Sequence, residues 1–171
     1  GGIFRDMTIH DFDMARFLLG EEPVAVSAHA AVLVDKKIGE LGDYDSVNVL
    51  LETASGKQAL ISNSRRATYG YDQRVEVHGS KGLAAAENQR AISIELANGS
   101  GYTRPPLLDF FMTRYTEAYA NEIAAFIAAL TSKKPASPSG RDGLLALALA
   151  DAAVKSVKEG RKVKVSEVLS A

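Results

Sequence analysis

Asp6, His10 and Asp13, in the opening stretch "GGIFRDMTIHDFDMARFLLG", are residues of a type and spacing that could move a proton. On a helix at 100° per residue, these three and Phe17 fall within an arc of about 60°, so each carboxylate lies one turn from the imidazole. A carboxylate beside an imidazole orients the ring and stabilises its protonated form. Histidine is also the usual general base for removing a hydroxyl proton. Each residue has a plainer role as well. Asp6 suits a helix N-cap, His10 a satisfied interior histidine, and Asp13 an ion pair with Arg16 three residues on. A histidine with two carboxylates can bind a divalent ion. The spacing, however, is not that of an HExxH helix, and His29 and His78 sit on separate predicted strands. No metal is expected.

The element that must position the stripe is a helix over residues 6–19. Ile9, Phe12, Ala15 and Leu19 take a second side and Met7, Met14 and Leu18 a third, the pattern of a helix buried nearly all round. Gly20 stops it, and Glu21-Glu22-Pro23 turns the chain. Strand-like runs follow at 24–34, 46–53, 58–66, 72–79 and 90–96. Ala54-Ser55-Gly56-Lys57 reads as a hairpin turn, and Ser80-Lys81-Gly82 as a second turn leading into a short strand at 83–87. After a loop at 97–106, helical spacing runs from Leu108 to Leu130. A second long helix spans Leu144 to Val157, capped by Ser139 or Asp142 and ended by Gly160. "KVKVSEVL" is a brief terminal strand or turn. The class is α+β: an open, mostly antiparallel sheet with helices packed on one face.

Alternation along the strands assigns Val24, Val26, Val32, Val34, Val47, Val49, Leu51, Val75, Val77, Ile92 and Ile94 to the helix-covered face. The opposite face mixes Ser27, His29, Leu33, Asn48 and Leu50 with polar groups, so it needs a partner or stays wet. Asn63 and Arg65 share a side of their strand. An extended run would also put Tyr69 on the same side as Tyr71, where edge packing is its plainer role.

The totals bound the function classes. A chain of 171 residues suffices for one domain with a core. Twenty basic against twenty-one acidic residues give a net charge of −1, without the electrostatic footprint of a nucleic-acid binder. There are no cysteines, which excludes disulfides and thiolate metal sites and fits a reducing, cytoplasmic setting. No apolar run approaches the roughly 18 residues of a membrane span, and no signal-peptide pattern is present. The start at Gly1-Gly2-Ile3, without an initiator methionine, suggests a piece of something longer.

With its flanks, the opening stretch closely resembles the segment that begins the substrate domain in the glucose–fructose oxidoreductase (Gfo/Idh/MocA) family of NAD(P)-dependent dehydrogenases. "YGYDQRVEVHGSKG" (69–82), "RYTEAYANEIAAFIAAL" (114–130) and "SGRDGLLALALADAAVKSVKEG" (139–160) resemble later parts of the same domain. Essentially the whole chain is covered. The resemblance implies that residues 1–171 form the substrate-binding, catalytic C-terminal domain. NAD is then bound mainly by an N-terminal Rossmann domain, to which nothing here corresponds: no GxGxxG follows a strand. The family's catalytic lysine, in a Glu-Lys-Pro motif, belongs to that missing domain too.

The implied reaction oxidises a ring hydroxyl of a small polyol, with myo-inositol as the expected substrate and another cyclitol or sugar as the alternative. His10 is the implied general base, and Asp6 holds its tautomer or relays the proton. Asp13 binds substrate hydroxyls, and Tyr69 adds an aromatic wall and a hydroxyl. The resemblance also implies a homodimer or homotetramer paired through the open sheet face. A sugar-binding or assembly module without catalysis is a further alternative, against which the presence of both Asp6 and His10 argues.

Overall fold

Two helices, not one, open the chain: α1 (Gly2–Asp6) and α2 (Thr8–Leu19), with Met7 between them at φ −110° and ψ −62°. The Met7 N–H and the Thr8 hydroxyl both donate to the Ile3 carbonyl, at 3.0 and 3.3 Å. A threonine hydroxyl drawn back onto the preceding turn competes with regular helix bonding. The N–H of His10 then bonds Met7 at three-residue spacing, 3.3 Å. Asp6 therefore closes α1 and does not cap α2. Gly20 ends α2 in the left-handed conformation, φ 60°, where a residue without Cβ is favoured.

This computed structural model describes residues 1–169. The elements that follow are β1 (Pro23–Ala31), α3 (Lys36–Glu40), β2 (Ser46–Thr53), β3 (Gln58–Ser64), β4 (Val75–Gly79) and β5 (Gly82–Ala86). Then come β6 (Leu96–Asn98), β7 (Gly101–Thr103), α4 (Phe111–Arg114), α5 (Thr116–Ser132), α6 (Gly140–Glu159), β8 (Val163–Lys164) and α7 (Ser166–Leu169). They form two units, Gly1–Arg66 with the segment from Pro138 onward, and Ala67–Ser137.

In the first unit an antiparallel four-stranded sheet runs in the order β3-β2-β1-β8. Its buried face presents Val26, Ala28, Val47, Val49, Leu51, Ile61 and Val163 to α6 and to the Phe12–Ala15 side of α2. The alanines of α6, with Ala150, Ala152 and Ala153 fully buried, let that helix lie close on the strands. A register shift between Pro23 and Ala25 leaves Val24 as an extra residue, 45% exposed rather than in the core where alternation puts it. A bulge reverses the side on which every earlier residue points. Val32 and Val34 lie beyond the end of β1.

On the other face His29, Asn48 and Leu60 are exposed, and Ser27 and Leu50 half-buried. Ser156 of α6 completes the seam. Its hydroxyl accepts the N–H of Ala28 at 2.9 Å, just past the end of short β8, and donates to the Arg161 carbonyl at 2.6 Å.

The second unit holds two hairpins, β4-β5 and β6-β7, with α4 and α5. The run 90–96 is not a strand. Arg90 makes one isolated bridge to Leu107, and the extended pairing falls on Leu96–Asn98 and Gly101–Thr103, all but Leu96 within the loop expected at 97–106. Asn98 makes that shift possible, because its side chain accepts the N–H of Ser100 and closes a tight turn before Gly101. The helix expected from 108 starts at Phe111 and breaks at Tyr115. α5 belongs to this second unit, while α6 and α2 pack on the four-stranded sheet within the first.

Candidate active site

α2 buries Thr8, Phe12, Ala15 and Arg16 and turns His10, Met14 and Phe17 outward. It is half-embedded, not buried all round: Phe17 is 79% exposed. The stripe that looks out of place on a core helix is thus the outer face of a surface one. Among the described residues the His10 imidazole has no hydrogen-bond partner, and the residue is open to solvent.

The two carboxylates of the stripe are engaged by arginines and not by His10. Asp6, exposed at the end of α1, lies 3.7 Å from Arg65 Nη1. The same guanidinium reaches Asp43 through Nη2 at 3.1 Å. Asp43 in turn accepts the N–H of Ile3 at 2.9 Å, which ties the start of α1 to the end of β3. Burial works to raise the Asp43 pKa, but the backbone N–H groups of Ile3 and Tyr44, with Arg65, outweigh it and hold the carboxyl below its ordinary value.

Asp13 takes up the plainer role set out for it, pairing with Arg16 Nη1 at 2.8 Å. Arg16 is a buried hub. It donates to Glu22 through Nε and Nη2, both at 2.7 Å, and to the side chain and carbonyl of Asp142 at 3.1 Å. The Glu22 hydrogen bonds are the main reason that its pKa is raised; desolvation opposes them, and Asp142 and Asp13 add to the rise. Nearly half of the Asp13 side chain stays open to solvent, so one oxygen remains available to a hydroxyl.

Helical spacing gives no sign of the Asp11–Asn63 pair. Asn63 Nδ2 donates to Asp11 Oδ2 at 2.9 Å, while Asn63 Oδ1 is buried without a partner. Asp11 follows His10 directly but lies about 100° round the helix, off the stripe. Only the approach of α2 to β3 reveals the contact. Among the described residues no three carboxylate or imidazole groups converge at metal-binding geometry.

Tyr69 belongs to the second unit. It is 59% exposed, and its segment is a turn, not a strand: the Gly70 N–H bonds Ala67 and Gly70 adopts φ 126°. The same-side pairing with Tyr71 therefore does not hold. Tyr71 instead meets the edge of Tyr115, ring centroids 5.9 Å apart. The Tyr69 hydroxyl donates to Asp72, which raises its pKa.

No strand of the described residues leads through a glycine-rich turn into a helix N-terminus, and every strand pairing is antiparallel. These residues do not form a dinucleotide cradle. What they offer is an exposed imidazole on a braced helix, with Asp13 on the same helix and Asp6 at the end of the one before it. Residues 1–165 match the oxidoreductase family, C-terminal alpha/beta domain. The chain belongs to this family.

The Gfo/Idh/MocA domain found here is 76% identical over 166 residues to an inositol 2-dehydrogenase of Rhizobium meliloti (strain 1021), covering 97% of this chain and 50% of that protein. A crystal structure of a myo-inositol dehydrogenase from Corynebacterium glutamicum ATCC 13032 is 44% identical, with a TM-score of 0.92 over 96% of this chain and 49% of that one. A scyllo-inositol dehydrogenase from Lactobacillus casei, solved with bound NAD(H) and scyllo-inositol, is 26% identical. Its TM-score is 0.88, over 97% of this chain and 49% of that one. The chain spans about half the length of the relatives it matches. Among the described residues no helix is long and apolar enough to cross a membrane.

Proposed function

We propose that this domain is the substrate-binding half of an NAD-dependent inositol dehydrogenase, acting on a ring hydroxyl of myo-inositol. The observation that carries this reading is His10: an exposed imidazole without a protein partner among the described residues, on the outer side of α2 with Asp13 three residues on and Asp6 at the end of α1. NAD, bound by the other half of the full-length protein, supplies the hydride acceptor. This chain supplies the proton side of the reaction. An unpartnered ring nitrogen of His10 accepts the substrate hydroxyl proton, the job of a general base.

Asp6, four residues earlier at the end of α1 and held there by Arg65, is the residue that orients the ring or relays its proton in the full-length protein. The open oxygen of Asp13 accepts from a neighbouring ring hydroxyl, while Arg16 fixes the carboxylate from the other side. Tyr69, in the second unit, is a further proposed substrate contact through its hydroxyl and ring face. The 76% identity to an inositol 2-dehydrogenase supports inositol over other polyols. The exposed Leu60, on one sheet face with exposed His29 and Asn48, supports self-association through that open face, and the lack of cysteine fits a cytoplasmic enzyme.

In the full-length protein, His10→Ala should lower kcat for inositol oxidation by about 10²–10⁴-fold while leaving NAD affinity in place. Turnover close to wild type at neutral pH would remove His10 from the mechanism.

A further inference from the structure

Within the second unit, the environment of Tyr69 constrains what its hydroxyl can do. Asp72 is acceptor-only when ionised and offers about four lone-pair sites. All four are taken. Its Oδ1 accepts from Arg74 Nε at 2.8 Å and from Asn88 Nδ2 at 2.7 Å. Its Oδ2 accepts from Arg74 Nη2 at 3.0 Å and from the Tyr69 hydroxyl. Asn88 is itself oriented, because its Oδ1 accepts the N–H of Gln73 at 2.7 Å.

The carboxylate sits behind the phenol. The Asp72 side chain is 16% exposed, against 59% exposure for Tyr69 as a whole. Tyr69, Asp72 and Asn88 line one cavity together with Arg90, Arg104 and Pro105. Gly70 fixes the turn between Tyr69 and Asp72 by passing so near Leu107 that a Cβ would come within 2.6 Å of that side chain.

We propose that Asp72 is a positioning residue for substrate recognition: it holds the single hydroxyl proton of Tyr69, so that the phenol oxygen faces the cavity as an acceptor only. This rests on the reading of Tyr69 as a substrate contact. The partner that Tyr69 selects must then donate a hydrogen bond, which a polyol hydroxyl does and an ether or ketone oxygen does not. The ring hydroxyl at that position is recognised by its proton. A carboxamide at position 72 breaks the arrangement, because its NH₂ must face either the Tyr69 oxygen or one of the Arg74 and Asn88 donors.

The test is steady-state kinetics of the full-length protein with myo-inositol and NAD, as a double-mutant cycle. Tyr69→Phe should raise the inositol KM about tenfold with kcat little changed, the mark of a lost binding contact. Asp72→Asn should raise KM by a similar factor, and Arg74→Gln by about threefold, since one side of the clamp remains. Combined with Tyr69→Phe, both changes should have almost no further effect on KM.

If Tyr69→Phe leaves KM unchanged, Tyr69 is not a substrate contact and the proposal falls with that reading. If Tyr69→Phe raises KM but Asp72→Asn and Arg74→Gln do not, the contact stands and the positioning role is wrong. A KM effect of equal size on top of Tyr69→Phe would make Asp72 merely structural and also overturn it. Should Asp72→Asn fail to fold, Arg74→Gln carries the same cycle, with the same outcomes deciding.

Discussion

Replacing Arg16 tests whether the brace beneath the candidate site sets its stability. All five guanidinium N–H positions are used: two on Glu22, one on Asp13, and two on the carbonyl and carboxylate of Asp142. The arginine side chain is only 6% exposed, whereas those of Asp13, Glu22 and Asp142 are 45%, 54% and 36% exposed. Removing one partner of a buried ion pair costs about 3–5 kcal/mol, because the other charge is left buried and unpaired. Here the three stranded carboxylates can recover water, which places Arg16→Met at the low end, about 3 kcal/mol. Methionine keeps most of the packed stem, so the loss reports the guanidinium.

Lysine retains the charge but replaces a planar fork with a point charge. It cannot serve Glu22 in bidentate fashion and reach Asp142 as well, and Arg16→Lys should cost about half as much. For a chain of this size, about 3 kcal/mol corresponds to roughly 6–12 °C in Tm. Urea unfolding followed by circular dichroism should move its midpoint without changing its slope. The order should be wild type, then lysine, then methionine. If Arg16→Met lies within about 0.5 kcal/mol of wild type, the network behaves as a set of exposed surface pairs and the bracing argument fails.

Three other perturbations address separate joints of the fold. Gly70→Ala forces a Cβ to within 2.6 Å of the Leu107 side chain at φ 126°, which should destabilise the second unit by at least about 2 kcal/mol; unchanged proteolytic protection there would refute it. Ser156→Ala orphans the Ala28 N–H at the end of β8 and should cost about 1–3 kcal/mol, with faster amide exchange at Ala28 as its local sign; an unchanged rate would refute the bridge. Asp72 should titrate at about 2, held below its ordinary value of 3.8 first by Arg74 and, against burial, by Tyr69 and Asn88. Since the folded pKa is the lower one, its stabilisation is complete above about pH 4 and is lost as pH falls toward about 2; a carboxyl NMR midpoint near 4 would contradict the clamp.

Much of the architecture was legible because it rests on short-range rules. β2 falls on the expected 46–53, and α6 begins after Ser139 and ends at a left-handed Gly160, both as signalled. The Asp13–Arg16 pair follows from helical spacing alone. What could not be read depends on non-local partners or on one displaced backbone bond. The bulge at Val24 appears only once β1 pairs with β2, and it flips the expected alternation. The break at Met7 needs a threonine hydroxyl on the Ile3 carbonyl. Arg65 could be placed on a side of its strand, but its joint hold on Asp6 and Asp43 links residues far apart in sequence. The Asp72 clamp was hidden in the same way, since Asn88 arrives from beyond the β4-β5 hairpin.

The same periodicity that exposes His10 also fixes it. Burial at Thr8, Phe12, Ala15 and Arg16 follows the i, i+4, i+7, i+8 pattern that seats a helix on a core. Between and beyond them, His10, Met14 and Phe17 are turned outward. Phe12 is fully buried beside the strands, and Arg16 locks the last turn to the first turn of α6. Asp6 stands on a separate helix, and its own anchor runs through Arg65 and Asp43 to the start of α1. Asp6 and Asp13 are thus held by different partners, Asp6 by Arg65 and Asp13 by the buried Arg16. Their spacing to His10 is set by backbone packing and not by any bond to the ring. That leaves the nitrogens of the imidazole without a protein partner among the described residues, which the proposed general-base role requires.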